Sequence, residues 1–149
     1  METLNQLSEI TINYKSRIKA SDQLKISGSM DVVNYFRSIW SERMEYVEEA
    51  YLLILNRANK ILGFTKISVG GTIGTIVDVK LIFHAALKAN ACSIILAHNH
   101  PSGNINPSDE DKELTKKVAG AGKLLDIQLL DHIIITKESY FSFSDQVML

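Results

Sequence analysis

The sequence predicts an α/β domain with a mixed sheet and helices on both faces. Three observations predict it. Short continuous apolar runs at AYLLIL (50–55), CSIILA (92–97) and IQLLDHIIIT (127–136) have the length and composition of strands buried on both sides. Segments with apolar residues at helical spacing lie between them. AYLLIL is joined to the next strand-like segment, ILGFTKISVGG (61–71), by the short turn NRANK, whereas later strands are separated by helices, so hairpin and crossover connections both occur.

Each element follows in turn. ITINYK, within residues 7–18, reads as a strand. Ser29 is placed to cap a helix over 30–40, whose apolar face is Val32, Val33, Phe36, Ile39 and Trp40. AYLLIL is a buried strand, and ILGFTKISVGG (61–71) returns beside it, ending at Gly70 and Gly71. DVKLIFHAALKA (78–89) is an amphipathic helix with Asp78 at its start. CSIILA is the next buried strand. A helix opens at Ser108 and runs to about Leu125, with Leu114, Val118, Ala121 and Leu125 as its apolar side. IQLLDHIIIT is a strand, and Tyr140 to Phe143 add a short edge. Residues 1–28 divide off as an N-terminal strand or arm, and 29–149 form the domain.

Composition narrows the function classes. The chain has 149 residues, 46% of them hydrophobic and 22% charged, which suits a folded domain with one core. A net charge of -1 removes the strong positive field of a nucleic-acid module. No run approaches the roughly 18 apolar residues of a membrane span. The first residues lack a basic start and an apolar core, so no secretory signal is expected. The single cysteine, Cys92, has no internal partner and reads as a small buried residue. This is the pattern expected of a cytoplasmic protein.

The segment HNHPSGNINPSDED (98–111) carries the chemistry. His98 and His100 are two apart, so an extended backbone turns both rings to one face, with Asn99 turned away. His98 follows the predicted end of a strand, where α/β sheets place ligands. Pro101 keeps His100 out of a helix, and Gly103 lets the loop bend. Asp111 falls in the first turn of the next helix, with its carboxylate able to point back. Two imidazoles and a carboxylate leave the fourth position of a tetrahedral metal open, as a catalytic zinc site requires. Ser108 and Asp111 also fit a helix capping box, which explains those two residues but neither histidine. Hydrolysis needs a further proton carrier, and Glu45, Glu48 and Glu49 precede the strand AYLLIL. Alternation puts Glu48 and Glu49 on opposite faces, so at most one of them faces the metal. A solvated acidic approach to the strand is the bland alternative.

On these residues the chain resembles the JAB/MPN (JAMM) metalloprotease domain, in its bacterial RadC branch. That family shows an early glutamate, then His-x-His, ten residues and Asp, matched by His98, His100 and Asp111. HNHPSG (98–103), PSDED (107–111) and DHII (131–134) match the marks of the RadC branch. The resemblance spans roughly residues 30–145. It implies a three-layer α/β/α sandwich with a cytidine-deaminase-like mixed sheet. It further implies Zn2+ held by His98, His100 and Asp111, Glu49 as the general acid/base, and Ser108 as the hydroxyl that steadies the oxyanion. The implied activity is a zinc metallopeptidase or isopeptidase acting on a peptide or isopeptide substrate, in a branch that carries a DNA-repair label. Many RadC proteins have an N-terminal helix-hairpin-helix region, and residues 1–28 do not read as one.

Competing readings are weaker. A metal-dependent nuclease is suggested only by the letters His-Asn-His, and the charge argues against it. Zinc deaminase chemistry needs a pair of cysteines that the chain lacks. A catalytically silent scaffold of the same fold would not need its ligand set intact. His132 and Asp131 point to opposite faces of their strand. Either a structural role or a hydrogen bond behind a metal ligand fits them, the structural one being the more ordinary. His84 reads as a surface residue. An exposed strand within residues 1–28 is a candidate for pairing with a second copy, giving a homodimer, or with an extended peptide.

Overall fold

Strand β1, Glu49–Leu55, is buried along its whole length because both of its faces are covered. The computed structural model describes residues 6–70 and 77–149. The remaining strands are β2 (Ile61–Val69), β3 (Ser93–Asn99), β4 (Gln128–Ile135) and β5 (Tyr140–Ser142), and the sheet order is β2-β1-β3-β4-β5. β1 runs antiparallel to β2 and β3, β3 is parallel to β4, and β5 is antiparallel to β4. The sheet is therefore mixed, with the parallel pair joined by a helical crossover.

Helix α1 (Ser29–Ile39) covers one face, packing Val32, Val33 and Phe36 on Tyr51, Leu53, Ile95, Ala97, Ile133 and Ile135. Helices α2 (Val79–Lys88) and α3 (Asp109–Leu124) cover the other, where Ile82, Phe83 and Val118 meet Leu52, Ile54, Ile94, Leu96 and Leu129. Strict alternation along β1 and β3 feeds the two layers, and the result is an α/β/α sandwich. Asp78 caps α2 by accepting the Lys80 N–H. At the far end of α3, Gly122 lies against the start of β4, and a Cβ there would collide with the Ile127 carbonyl.

Several expectations are corrected. ITINYK forms no strand. Ile10 and Ile12 are 88% and 76% exposed, and among the described residues no strand lies beside the segment to complete its backbone bonds. Its tie to the domain is the Tyr14 hydroxyl, which donates to the Leu62 carbonyl at 2.7 Å. Ser29 is the first residue of α1 rather than its cap; Gly28 holds that position. Its hydroxyl instead donates to Asp145. Cys92 is exposed, one residue before β3 begins. β3 continues through His98 and Asn99, which therefore stand on the strand and not beyond it. The fully buried residues of α3 are Thr115, Val118 and Gly122; of the expected apolar side, Val118, Leu114 and Ala121 pack on the core and Leu125 is exposed. Gly71, the expected last residue of β2, lies outside the described residues.

Candidate metal centre

The C-terminal end of β3 and the first turn of α3 meet at one point, and three ligand-type side chains converge there. His98 Nε2 and His100 Nε2 are 3.0 Å apart. Asp111 offers one carboxylate oxygen 3.1 Å from His98 Nε2 and the other 3.2 Å from His100 Nε2. A tetrahedral metal with bonds of about 2.0–2.1 Å separates its ligand atoms by about 3.3–3.4 Å. The three groups are thus nearly spaced for an ion, and the donor set of two imidazoles and a carboxylate suits one. Burial opposes ionisation of Asp111, but the His100 and His98 rings that face its oxygens outweigh it and hold the carboxyl far below its ordinary range. The Asp111 carboxylate draws the His100 pKa upward against burial.

Local structure makes each placement. Ser108 caps α3, its hydroxyl accepting the Asp111 N–H at 3.1 Å while Asp111 accepts the Ser108 N–H at 2.9 Å. Capping box and candidate ligand coincide: the reciprocal bonds that start the helix also aim Asp111 at the histidines. The turn from His100 to Gly103 closes through the Gly103 N–H at 3.0 Å from the His100 carbonyl, with Gly103 at φ +84°. Beyond it the chain returns so that the Asn104 carbonyl accepts from His100 Nδ1 at 2.6 Å. That bond puts a proton on Nδ1 and turns Nε2 toward Asp111.

His98 is braced from behind. Its Nδ1 lies 2.8 Å from His132 Nε2, His132 Nδ1 lies 2.7 Å from Thr115 Oγ1, and Thr115 donates to the Asp111 carbonyl at 2.7 Å. The His132 ring stacks on Phe143 with centroids 4.9 Å apart and planes 9° apart. Burial, reinforced by the nearby His98, pushes the His132 pKa well below that of a free imidazole. Of the two roles open to His132, the structure shows the hydrogen bond behind His98. Asp131, on the opposite face, ties β4 to the chain end through Ser142 and the Ser144 N–H. His84 is exposed.

The glutamates divide as alternation requires, and it is Glu48, not the expected Glu49, that lies beside the histidines. Ala50 pairs with His98, so residues of even number in β1 share the His98 face. Glu49 consequently lies on the α1 side. Its carboxylate is fully buried and engages Lys66 and Ser41, with Arg43 at 4.0 Å. Burial alone would raise the Glu49 carboxyl, yet Lys66 and Ser41 bring it below the usual value. Glu48 is the glutamate at the candidate metal site: one of its oxygens, one nitrogen of His98 and one of His100 all lie within 4.8 Å of one another. Glu45 points elsewhere, pairing with Lys137 at 2.7 Å. Asn99, buried among these elements, accepts the Glu49 N–H at 2.7 Å and donates to the Met44 and Val47 carbonyls at 2.7 and 2.9 Å. It staples the loop that carries Glu48 onto β3. Neither Asn99 nor Thr115 stood out in the sequence.

A cleft of about 260 Å3 opens beside His100, lined by Met44, Glu45, Pro101, Ser102 and Lys137 among others. A roomier one of about 570 Å3, near Cys92 and Leu149, has none of the ligand residues in its lining. Among the described residues no helix is long and apolar enough to cross a membrane.

Comparison with known proteins agrees with this architecture. The family model for the RadC-like JAB domain matches residues 26–148. A UPF0758 protein of Flavobacterium johnsoniae is 45% identical over 133 residues, covering 87% of this chain and 57% of its own length. One from Chlorobaculum parvum is 40% identical over 138 residues, covering 93% of this chain and 61% of that protein. One from Porphyromonas gingivalis is 47% identical over 103 residues, 68% of this chain and 45% of that protein. The chain thus spans about three-fifths or less of the length of these relatives. It belongs to the RadC-like JAB domain family.

Proposed function

From that membership and the ligand geometry, we propose that the chain is a zinc-dependent hydrolase cleaving a peptide or isopeptide bond. The observation that carries the reading is the convergence of His98, His100 and Asp111, with ligand atoms 3.0–3.2 Å apart. His98, His100 and Asp111 would hold the zinc, which when bound supplies a Lewis acid and makes a nucleophile of its water near neutral pH. Glu48 is the proton carrier in this reading, replacing Glu49. It takes a proton as water oxygen attacks the carbonyl carbon and returns it to the amine nitrogen as the C–N bond breaks. The Ser108 hydroxyl accepts the Asp111 N–H and keeps its own proton free to donate to the carbonyl oxygen as charge grows there. The cleft beside His100 supplies room for the substrate chain.

The test is a pair of variants assayed on fluorogenic peptide and isopeptide substrates. Glu48→Gln is expected to take up zinc as the unaltered chain does and to lose at least about 100-fold in rate, the usual share of general acid–base catalysis. Full activity in Glu48→Gln, with loss in Glu49→Gln, would return the role to Glu49.

A further inference from the structure

We propose that Thr115 and His132 form a proton-ordered relay that fixes the tautomer of His98 and so presets its metal-binding nitrogen. The proposal rests on the zinc reading of the site and deepens it.

The proton positions follow from the partners. A backbone carbonyl can only accept. Thr115 Oγ1 sits 2.7 Å from the Asp111 carbonyl, so the hydroxyl proton lies between them. The hydroxyl has no second proton. Its contact with His132 Nδ1 at 2.7 Å therefore requires the proton to be on Nδ1. His132 is 0% exposed and neither ring nitrogen faces a carboxylate, so an unpaired imidazolium there would be costly. A neutral ring protonated on Nδ1 has a lone pair on Nε2. That lone pair, 2.8 Å away, demands a proton on His98 Nδ1. His98 is left with Nε2 as its ligating atom, and Nε2 is the nitrogen that faces Asp111.

The relay is closed on itself. Asp111 supplies a carboxylate to the centre and its backbone carbonyl to Thr115, so both ends of the chain meet at one residue. Three elements, β3, β4 and α3, are locked by bonds that share a single proton order. The same order explains why α3 buries a threonine on its stripe. A residue one turn beyond the ligand Asp111 must carry a hydroxyl, and a valine of equal shape could not continue the line. Phe143 holds the His132 ring in the required plane. His100 is oriented separately by the Asn104 carbonyl, so the relay acts on His98 alone.

Two measurements test this together. Two-bond proton–nitrogen NMR of the zinc-loaded and metal-free chain reads the histidine tautomers directly. Zinc affinity is measured by chelator competition for the unaltered chain, Thr115→Val and Thr115→Ser. Expected are His132 protonated on Nδ1, zinc-bound His98 protonated on Nδ1, and zinc binding weakened about 10- to 100-fold in Thr115→Val. Thr115→Ser should restore most of that affinity, because serine supplies the same hydroxyl. A purely structural threonine would change melting temperature but not the zinc affinity of the folded protein. His132 protonated on Nε2, or folded Thr115→Val binding zinc as tightly as the unaltered chain, would overturn the relay. Zinc uptake without hydrolysis would sink the hydrolase and leave the relay standing. Zinc uptake and hydrolysis with the opposite His132 tautomer would do the reverse. A folded chain that takes up no zinc would overturn both.

Discussion

Replacing Asn99 by alanine should separate metal binding from catalysis. Asn99 is fully buried and uses one acceptor and two donors, bonding the Glu49 N–H and the Met44 and Val47 carbonyls. Alanine leaves one N–H and two carbonyls without partners. Each such group costs about 1–3 kcal/mol when it stays buried. Glu49 is sealed, but Met44 and Val47 are only half-buried and recover water. The expected loss is therefore about 2–4 kcal/mol, mostly from the strand N–H, a large share of the roughly 5–15 kcal/mol that holds a domain together. The released loop carries Glu48 and no other metal-facing group. Zinc affinity should change little while the hydrolysis rate falls by at least about 10-fold, as a misplaced proton carrier implies. Urea unfolding, chelator competition and substrate turnover on one preparation give the three numbers. A loss below about 0.5 kcal/mol, within the range of ordinary surface substitutions, would refute the staple. Unchanged turnover in a destabilised variant would refute its link to Glu48.

Two further outcomes follow. Glu49→Gln should lower stability by about 1–3 kcal/mol, since it removes a buried charge paired with half-exposed Lys66, and should keep its zinc; urea unfolding with metal analysis checks both. Zinc affinity should fall as pH drops, because the bound form needs neutral histidines and an ionised Asp111. His100 starts to compete for protons above the ordinary imidazole pKa of about 6.5, because Asp111 draws its pKa upward in the metal-free chain, so the fall should begin above that pH. Affinity that stays level from neutral pH to pH 5 would contradict this ligand set.

Much of the site was legible because its logic is local. His98 and His100 share a face through the two-residue period of a strand, and Asp111 reaches them through a helix start that its own capping box defines. The sandwich was equally readable from strands apolar on both faces. What escaped the sequence depended on pairing between distant segments. Which of Glu48 and Glu49 faces His98 is set by the register of β1 on β3, where Ala50 meets His98. That parity cannot be found within residues 45–55. Thr115 went unmarked because helical pattern reading seeks apolar stripes, yet the stripe that packs here includes a threonine that meets His132. The hydrogen bonds of Asn99 join segments about 50 residues apart. ITINYK had the alternation of a strand and, among the described residues, lacked a neighbour to pair with.

Zinc X-ray absorption spectroscopy on the purified chain, paired with the count of zinc per chain in native mass spectra, probes the metal site most directly. One zinc is expected, bound only by nitrogen and oxygen at about 2.0–2.1 Å with the signature of two imidazoles. That ion should be lost when His98 or Asp111 is replaced by alanine. A folded chain without zinc, or one whose metal carries a sulfur ligand from Cys92, would contradict the zinc reading.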